Sequence, residues 1–242
     1  MRAYNFFPTN CCDASIVSRK VPADVPYHHG NLREALIEQG RLALENVGAH
    51  ELSLRNLARA VGVSEAAPSR HFAGKEGLLA AIAADGWRDL AVMRSEIRDS
   101  GDCATTIAYR MLRVYVEFAQ QHKGLFDLMV GPRIVARDLY PELNEEASRS
   151  FELFASSVEA AASENGWPDE TLTLVTHAAW SMEHGLASLI LSDRAPHRDR
   201  PVRIDHMVHF SIGMFLSAVA AGPAHLERML ALLPAMSPIP GT

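Results

Sequence analysis

The sequence predicts an all-α protein built of two helical parts. No strand-like alternation of any length follows residue 26 of the 242, and apolar residues recur instead at helical spacing. The periodic segments are separated by glycine and proline, which commonly end helices. With 48% hydrophobic and 21% charged residues, the chain can bury a sizeable core in one or two domains.

The segment 27–75 begins with two short helices. Apolar residues recur at roughly helical spacing over 31–47, which predicts an amphipathic first helix, and Gly48 follows as its C-terminal stop. Ser53 is expected to cap the second helix by accepting hydrogen bonds from the free N–H groups of its first turn. The buried face of that helix is expected to consist of Leu54, Leu57, Ala58 and Val61.

A tight turn at 61–63 and a third helix complete this segment. Gly62 can adopt the left-handed backbone that a sharp turn needs. Ser64 is expected to cap a third helix that runs to about Phe72, with Pro68 in its first turns, where a missing N–H does least harm. Two helices joined in this way form a helix-turn-helix, whose second helix enters the major groove of DNA.

Four short motifs follow one another in this segment. In order, they are Ser53-Leu54-Arg55, Ala58-x-x-x-Gly62-Val63-Ser64, Arg70-His71-Phe72 and Lys75-Glu76-x-Leu78-Leu79. With these motifs, the segment resembles the DNA-binding domain of the TetR (tetracycline-repressor-like) family of bacterial transcription regulators. It departs from the family at Ser69, where a tyrosine often reaches a phosphate. The resemblance implies a regulator, most simply a repressor, that binds a double-stranded DNA operator as a homodimer, with no enzymatic activity and no cofactor.

Ten residues of this segment are candidates for contact with DNA. Lys75 is a candidate for a phosphate contact because it begins a helix beside the predicted third helix, the recognition helix of the helix-turn-helix. Ala66 and Ala67 are small enough to let that helix lie deep and to touch thymine methyl groups. For the polar candidates a purely structural role, as a helix cap or a solvated surface charge, stays open. The candidates are Ser53, Arg55, Ser64, Glu65, Ala66, Ala67, Ser69, Arg70, His71 and Lys75.

The net charge of −6 at first argues against a DNA-binding protein. Residues 1–75, however, hold 9 Lys and Arg against 7 Asp and Glu, whereas residues 76–242 hold 14 against 22. The negative charge therefore belongs to the second part of the chain. A footprint on DNA needs only a local basic face, so the overall charge does not exclude one.

Secretion and membrane insertion are not expected from this sequence. No apolar run approaches the ~20 residues needed to cross a bilayer, and the first residues lack the apolar core of a signal peptide. The three cysteines form neither a disulfide framework nor a zinc-binding spacing. We therefore expect a cytoplasmic protein, with residues 1–26 as a flexible arm.

Residues 76–242 are expected to form a helical ligand-binding and dimerisation domain. A long helix, beginning at Lys75, should connect this domain to the helix-turn-helix domain 27–75. The breaks at glycine and proline predict helices at 75–98, 104–121, 123–130, 141–163, 169–191, 201–221 and 223–233.

Small residues recur in steps of three and four along the predicted helix 169–191, and the following helix has small positions of its own. Such a stripe lets another helix approach closely. Periodicity alone leaves open whether that helix belongs to the same subunit or to a second copy. The TetR resemblance favours a dimer formed by these last two long helices. The small positions are Ala178, Ser181, Gly185, Ser188, Ser192, Gly213, Ser217 and Ala220.

The segment Trp180-Ser-Met-Glu-His184-Gly185 resembles a Trp-x-x-x-His-Gly motif in the ligand-binding domain of one TetR subgroup. His177, Trp180 and His184 share a helical face, which either finds its polar partners within the core or presents donors to a cavity. We expect a small apolar effector to bind here. The candidate contacts are Phe118, Phe126, Met129, Phe154, His177, Trp180 and His184.

Two alternatives stay open. A metal-responsive regulator of the same fold would use His206 and His209, with Glu183, His184 or Asp205 as further ligands. A helical enzyme has no support from a Ser/Cys–His–acid set, a phosphate loop or an HExxH motif.

Overall fold

The structure, a computed structural model, describes residues 32–131, 136–192 and 202–234. Within these ranges the chain forms nine α-helices, two short 3₁₀ helices and no β-strand, which confirms the all-α prediction. The predicted arm, residues 1–26, lies outside the described residues. The 3₁₀ helices are Ala67–Arg70 and Arg137–Leu139, and the α-helices are α1 (Leu32–Glu51), α2 (Leu54–Ala60), α3 (Gly74–Arg98), α4 (Ala104–Gln121), α5 (Lys123–Val130), α6 (Pro141–Glu164), α7 (Asp169–Leu191), α8 (Ile204–Ala220) and α9 (Pro223–Leu230).

The recognition segment differs from the prediction. In place of an α-helix from Ser64 to Phe72, the chain forms only the 3₁₀ helix Ala67–Arg70. Pro68 is the reason, because an α-helix capped at Ser64 needs an N–H at residue 68 to donate to the Ser64 carbonyl. The chain forms a shorter-range bond instead, in which the Ala67 N–H donates to the Ser64 carbonyl at 2.9 Å.

Neither predicted serine cap forms as expected. Ser53 does lie at the start of α2, but its side chain makes no capping hydrogen bond. Ser64 precedes no α-helix, so the capping role predicted for it is lost together with that helix. The glycine predictions are confirmed, since Gly48 interrupts the end of α1 at a φ of 71° and Gly62 makes the turn at a φ of 74°.

α3 connects the helix-turn-helix region to the C-terminal helices. Near its start it packs on α1, where a Cβ added to Gly40 would collide with the Ile82 side chain. Further along it packs against α4, α5 and especially α6. Because Leu78, Ile82 and Leu90 are all fully buried, one continuous apolar face holds α3 in place along its length.

α5 meets α1 through a glycine. A Cβ on Gly124 would collide with the backbone carbonyl of Leu44, so only glycine permits this approach. The Glu45 carboxylate accepts the backbone N–H groups of Gly124 at 2.9 Å and Leu125 at 3.2 Å. The first N–H groups of a helix have no partner within that helix, so α1 supplies the cap of α5. We call this contact of Leu44, Glu45, Gly124 and Leu125 the α1–α5 joint.

The remaining helices form the C-terminal core. α4 packs against both α6 and α7, and α8 packs against α4 and α7. The fully buried side chains of Met111, Leu112, Phe154 and Ile212 fill the space between them. The observed helices after residue 75 agree with the predicted ones to within three residues at each end.

An ion-pair network links α1, α3 and α6. Arg33 of α1 contacts Glu142 of α6 at 2.6 Å, and Arg88 of α3 contacts Glu142 at 2.9 Å and Glu146 at 2.8 Å. These side chains are partly exposed, so each pair stabilises the fold only slightly. The network nevertheless fixes how the beginning of α6 lies against α1 and α3.

Candidate DNA-binding surface and effector site

α2 and the 3₁₀ helix that follows it form the candidate DNA-binding surface. Leu57 and Ala58 of α2 are buried, as is Pro68 of the 3₁₀ helix. After the turn at Gly62, the Val63 N–H donates to the Ala58 carbonyl at 2.9 Å. These buried anchors leave the polar residues between and after them at the surface. Ser64, Glu65, Ala66, Ser69, Arg70 and His71 are exposed, and Ala67 and Ser53 are half-buried.

Two arginines of α2 contact Glu65. Arg59 Nη2 lies 2.6 Å from Glu65 Oε1, and Arg55 Nε lies 3.4 Å from Glu65 Oε2. The hydrogen bond from Arg59 holds the pKa of the Glu65 carboxyl below its usual value. Because the Arg55 and Arg59 side chains are 75% and 65% exposed, they can exchange Glu65 for a phosphate group.

Ser69 and Arg70 of the 3₁₀ helix and His71, which follows it, differ in how they are placed. Ser69 Oγ donates to the Ala66 carbonyl at 2.7 Å, so this hydroxyl is bound to its own backbone. Arg70 and His71 are exposed, and His71 lies beside the buried Phe72 with 6.3 Å between ring centroids. Arg70 and His71 are therefore better placed than Ser69 to contact DNA.

Lys75 joins two helices. Its Nζ donates to the His50 carbonyl at 2.6 Å, which links the beginning of α3 to the end of α1. An ammonium group has three N–H donors, so this bond leaves two for other acceptors. The geometry is compatible with a phosphate contact by Lys75, which stays a prediction.

His177, Trp180 and His184 form a row of rings along α7. The Trp180 centroid lies 6.2 Å from that of His177 and 6.3 Å from that of His184. His177 Nδ1 donates to the Thr173 carbonyl of its own helix at 2.7 Å. His177 and Trp180 are exposed and His184 is half-buried, so the row leads from the surface toward the core.

Two of the predicted apolar contacts lie next to this row, and both are buried. The Phe126 ring centroid is 6.4 Å from that of His184. Phe154 lies 5.9 Å from Phe151, whose ring in turn lies 6.2 Å from Trp180. Phe126 and Phe154 therefore belong to the same region as the row.

The other two predicted contacts, Phe118 and Met129, are buried as well. The Phe118 ring pairs with His122 at 4.9 Å, and the sulfur of Met129 lies so close to α3 that a Cβ on Gly86 would be 2.6 Å from it. These contacts describe packing at α5. A role in effector binding stays a prediction for both residues.

The sequence analysis missed a charged centre beside the row. Arg94 and Glu183 are only 2% and 1% exposed, and Arg94 Nη2 lies 3.2 Å from Glu183 Oε1. Arg94 Nη1 donates to the Ser150 carbonyl at 2.9 Å. The Arg94 guanidinium lies 5.1 Å from the Phe154 ring centroid and 5.5 Å from that of Tyr115. α3, α4, α6 and α7 therefore meet at this buried ion pair.

Burial changes the acid–base properties of this centre. Loss of contact with water raises the pKa of the Glu183 carboxyl to about 8, although the Arg94 charge acts in the opposite direction. Burial also raises the pKa of Tyr115, whose hydroxyl lies 3.0 Å from His184 Nδ1. The sequence analysis named Glu183 only as a possible metal ligand, and it occupies an unspecified position of the Trp-x-x-x-His-Gly motif. Arg94 gave no signal, since a buried arginine on a helix resembles a solvated one in sequence.

The metal-responsive alternative gains no support from the geometry. Among the described residues, no group of three or more His, Cys, Asp or Glu side chains is arranged to hold a metal ion. His206 is exposed, and His209 Nδ1 lies 2.8 Å from the Tyr109 hydroxyl.

Two glycines of α7 and α8 face open space among the described residues. A Cβ added to Gly185 or Gly213 would meet no described atom within 4 Å. Around them Leu189, Phe210 and Met214 are largely exposed. Packing within one subunit therefore does not explain the small-residue stripe at these two glycines.

No single helix in the described ranges is long and apolar enough to cross a membrane. α8 and α9 together meet the length and composition for a span, but their axes are bent by 101°.

Comparison with known protein families gives two matches. Residues 36–82 match the model of bacterial regulatory proteins of the tetR family, and residues 109–215 match that of a tetracyclin repressor-like C-terminal domain. No curated protein matches the chain.

Solved structures share the fold of this chain. A protein with unknown function from a Rhodococcus species is 29% identical, over 81% of this chain and 100% of that one, with a TM-score of 0.69. The TetR family transcriptional regulator PfmR from Thermus thermophilus is 18% identical, over 75% of this chain and 97% of its own, with a TM-score of 0.56. A TetR-family transcriptional regulator from Bordetella parapertussis is 16% identical, over 86% of this chain and 100% of its own, with a TM-score of 0.54. From the two domain matches and the shared fold, the chain belongs to the TetR family of transcriptional regulators.

Proposed function

We propose that the protein is a ligand-responsive repressor that binds a palindromic operator as a homodimer and is released by a small, largely apolar effector. Family membership supports DNA binding, dimerisation and a ligand in the C-terminal domain. The observation that carries the proposal is the course of α3. Its first turn holds Lys75 beside the recognition segment, and its later part holds Arg94 at the centre of the C-terminal helices.

The DNA-binding function is assigned to the surface of α2 and the 3₁₀ helix. Arg55, Arg59 and Arg70 are exposed there and can reach phosphates, while Ala66 offers a small apolar contact for a base edge. Glu65 opposes binding as long as it holds the two arginines of α2. Binding to DNA therefore requires these ion pairs to open, which is inexpensive at such exposure.

Dimerisation is assigned to the exposed face of α7 and α8. Gly185 and Gly213 allow close helix approach, and Phe210 and Met214 supply apolar area that is open in the single chain. A two-fold dimer would present two recognition segments to operator half-sites about 34 Å apart.

The response to an effector follows from two connections between the helix-turn-helix region and the C-terminal helices. The first is α3, which runs through both regions. The second is the α1–α5 joint, where the backbone of α1 contacts α5 directly. An effector that favours one packing of α4, α5 and α7 would move both connections. It would then change the separation of the recognition segments, provided that it binds the two states with different affinity.

The test is a binding titration on DNA from immediately upstream of the gene. Fluorescence anisotropy of a labelled duplex should detect saturable binding that competitor duplex of scrambled sequence does not abolish. Absence of specific binding to upstream or genomic duplexes at low salt would refute the proposal. A divalent metal that changes the affinity where apolar molecules do not would favour the metal-responsive alternative.

A further inference from the structure

The buried ion pair of Arg94 and Glu183 is incompletely hydrogen-bonded. Arg94 Nε and Glu183 Oε2 are both buried, and neither has a hydrogen-bond partner among the described residues. Both side chains are more than nine-tenths buried. An unpaired polar atom on a buried charged group is strongly unfavourable, and such atoms are rare in folded proteins. The two side chains therefore offer one donor and one oxygen to a group from outside the chain.

A carboxyl group is complementary to both atoms. One of its oxygens can accept from Arg94 Nε, in the charge-assisted geometry that arginine forms with carboxylates. Its other oxygen can share a proton with Glu183 Oε2. The ligand and Glu183 then hold one proton between them, either as a carboxylate beside protonated Glu183 or as a neutral acid beside ionised Glu183.

Other head groups fit less well. An amine would be repelled by the Arg94 guanidinium. An alcohol carries no charge to balance that guanidinium when Glu183 is protonated, and burial favours the protonated form of Glu183. A carboxylate supplies the missing negative charge and accepts hydrogen bonds from both side chains.

Aromatic rings connect this centre to the surface along α6. Phe151 and Trp180 are 36% and 43% exposed, with 6.2 Å between their ring centroids. Phe151 lies 5.9 Å from the buried Phe154, and Phe154 lies 5.1 Å from the Arg94 guanidinium. An apolar body of one ring or a short alkyl chain would lie among these rings.

A second series of rings reaches the same guanidinium along α7 and α4. The Trp180 ring lies 6.3 Å from His184, whose Nδ1 lies 3.0 Å from the Tyr115 hydroxyl. The Tyr115 ring lies 5.5 Å from the Arg94 guanidinium. The two series begin at Trp180 and meet at Arg94, so aromatic rings line both routes from the surface to the charged pair.

We propose that the effector is a small carboxylic acid with an apolar body, and that its carboxyl group binds between Arg94 and Glu183. The inference rests on the proposed ligand-responsive function and names the chemical class of its effector. The apolar body lies between α6 and α7, with Trp180 at the surface end.

The test compares acids with alcohols of the same body. Hexanoate, octanoate, decanoate and 4-phenylbutyrate are titrated into the full-length protein by calorimetry, each beside its primary alcohol. At about 100 times its Kd, a bound acid should raise the Tm by about 5–10 °C. The acid that binds best should do so about 10- to 150-fold more tightly than its alcohol, the range expected of a charge-assisted contact.

Two variants make the test specific. The double variant Arg94→Met/Glu183→Leu replaces the pair by apolar side chains of similar size, a change that folded proteins often tolerate. It should lose the preference for acid over alcohol and still bind the alcohol. Glu183→Gln should keep the preference, because the amide N–H replaces the proton of Glu183.

Three results would overturn the inference: no acid binds, alcohols bind as tightly as acids, or the preference survives in the double variant. Release of operator DNA is measured separately in the same titrations. If acids bind with the expected preference but do not change DNA affinity, the head-group assignment stands and the proposed ligand response fails. If an alcohol binds and releases DNA while acids do neither, the proposed function stands and this inference fails.

Discussion

The recognition surface and the C-terminal core use arginine–glutamate pairs in opposite ways. Arg55 and Arg59 contact Glu65 at the surface with most of their area exposed, whereas Arg94 and Glu183 are almost fully buried. Exposed pairs contribute little to stability and exchange partners readily, while breaking a buried pair leaves an uncompensated charge. The DNA-binding region therefore keeps its cations available, and the C-terminal core holds one cation in a fixed position.

Breaking the buried pair should give the largest effect on stability. Glu183→Leu should lower the free energy of unfolding by about 3–5 kcal/mol, because it removes the carboxyl oxygen that accepts a hydrogen bond from the buried Arg94 guanidinium. Arg94→Met/Glu183→Leu should recover most of this loss. Urea denaturation followed by circular dichroism measures both variants. Glu65→Leu, the matched change at the surface, is the control and should leave the urea midpoint nearly unchanged. If Arg94→Met/Glu183→Leu were no more stable than Glu183→Leu, the comparison of buried and exposed pairs would be contradicted.

The pH dependence of stability should also separate the two regions. The pKa of Glu183 is raised in the folded state from 4.5 to about 8, so the folded protein holds a proton that the unfolded chain has lost. The resulting stabilisation is complete below about pH 4.5 and is lost as the pH rises toward 8. Arg94 on α3 and Tyr115 on α4 interact with Glu183. Ser150 and Phe154 of α6 contact Arg94, and His184 of α7 contacts Tyr115.

The measurement is the difference in urea midpoint between wild type and Glu183→Gln across this pH range. The wild type should lose stability relative to the variant as the pH increases, because glutamine does not titrate. A difference that stays constant with pH would show that Glu183 is ionised throughout.

The α1–α5 joint lies between the two regions and is expected to be sensitive to one methyl group. Gly124→Ala should destabilise by about 1–3 kcal/mol, because its Cβ would collide with the Leu44 backbone, which has no flexible side chain to move away. Gly77→Ala is the control, since the nearest atom to its Cβ would lie at 3.5 Å, an ordinary contact. Thermal unfolding of both variants measures their stability. An equal loss of stability in Gly124→Ala and Gly77→Ala would argue against a tight joint.

The helices could be predicted from sequence because they depend on local signals. Glycine at 48, 62 and 166 takes a positive φ, and each ends a helix or begins a turn where the sequence indicated it. The 3₁₀ helix could not be foreseen from periodicity. The apolar spacing around Pro68 is compatible with an α-helix, and only the missing N–H at one position prevents it.

The candidate site was predicted only in part, because burial of charge depends on tertiary packing. The row of His177, Trp180 and His184 follows from the spacing of one helix and was predicted. The pairing of Arg94 with Glu183 joins residues 89 positions apart. No local pattern distinguishes this arginine from Arg98, which is exposed one turn later on the same helix.

Dimerisation should depend on the open face of α7. The Cβ that Gly185→Leu adds meets no described atom of the same chain within 4 Å, so we expect any loss of dimer to arise from a contact with a second copy. We expect the dimer to be weakened by about 1–3 kcal/mol, as is usual for an overpacked contact. Light scattering at micromolar concentration measures the mass. Gln120→Leu, an exposed position of α4, is the control, and an unchanged dimer in Gly185→Leu would place the interface elsewhere.

The smallest effect on stability is expected from Lys75→Ala. This substitution tests whether Lys75 has only a structural role or also contacts DNA. Lys75→Ala removes the bond to the His50 carbonyl at the surface, so stability should change little. If the ammonium also contacts a phosphate, affinity should fall to a similar extent on all duplexes, and the slope of log K against log salt should decrease by about one. Lys123→Ala removes the same charge at the start of α5 and should leave that slope unchanged. An unchanged slope in Lys75→Ala would mean that Lys75 serves only to join α1 to α3, and that the phosphate contacts of this surface come from its exposed arginines.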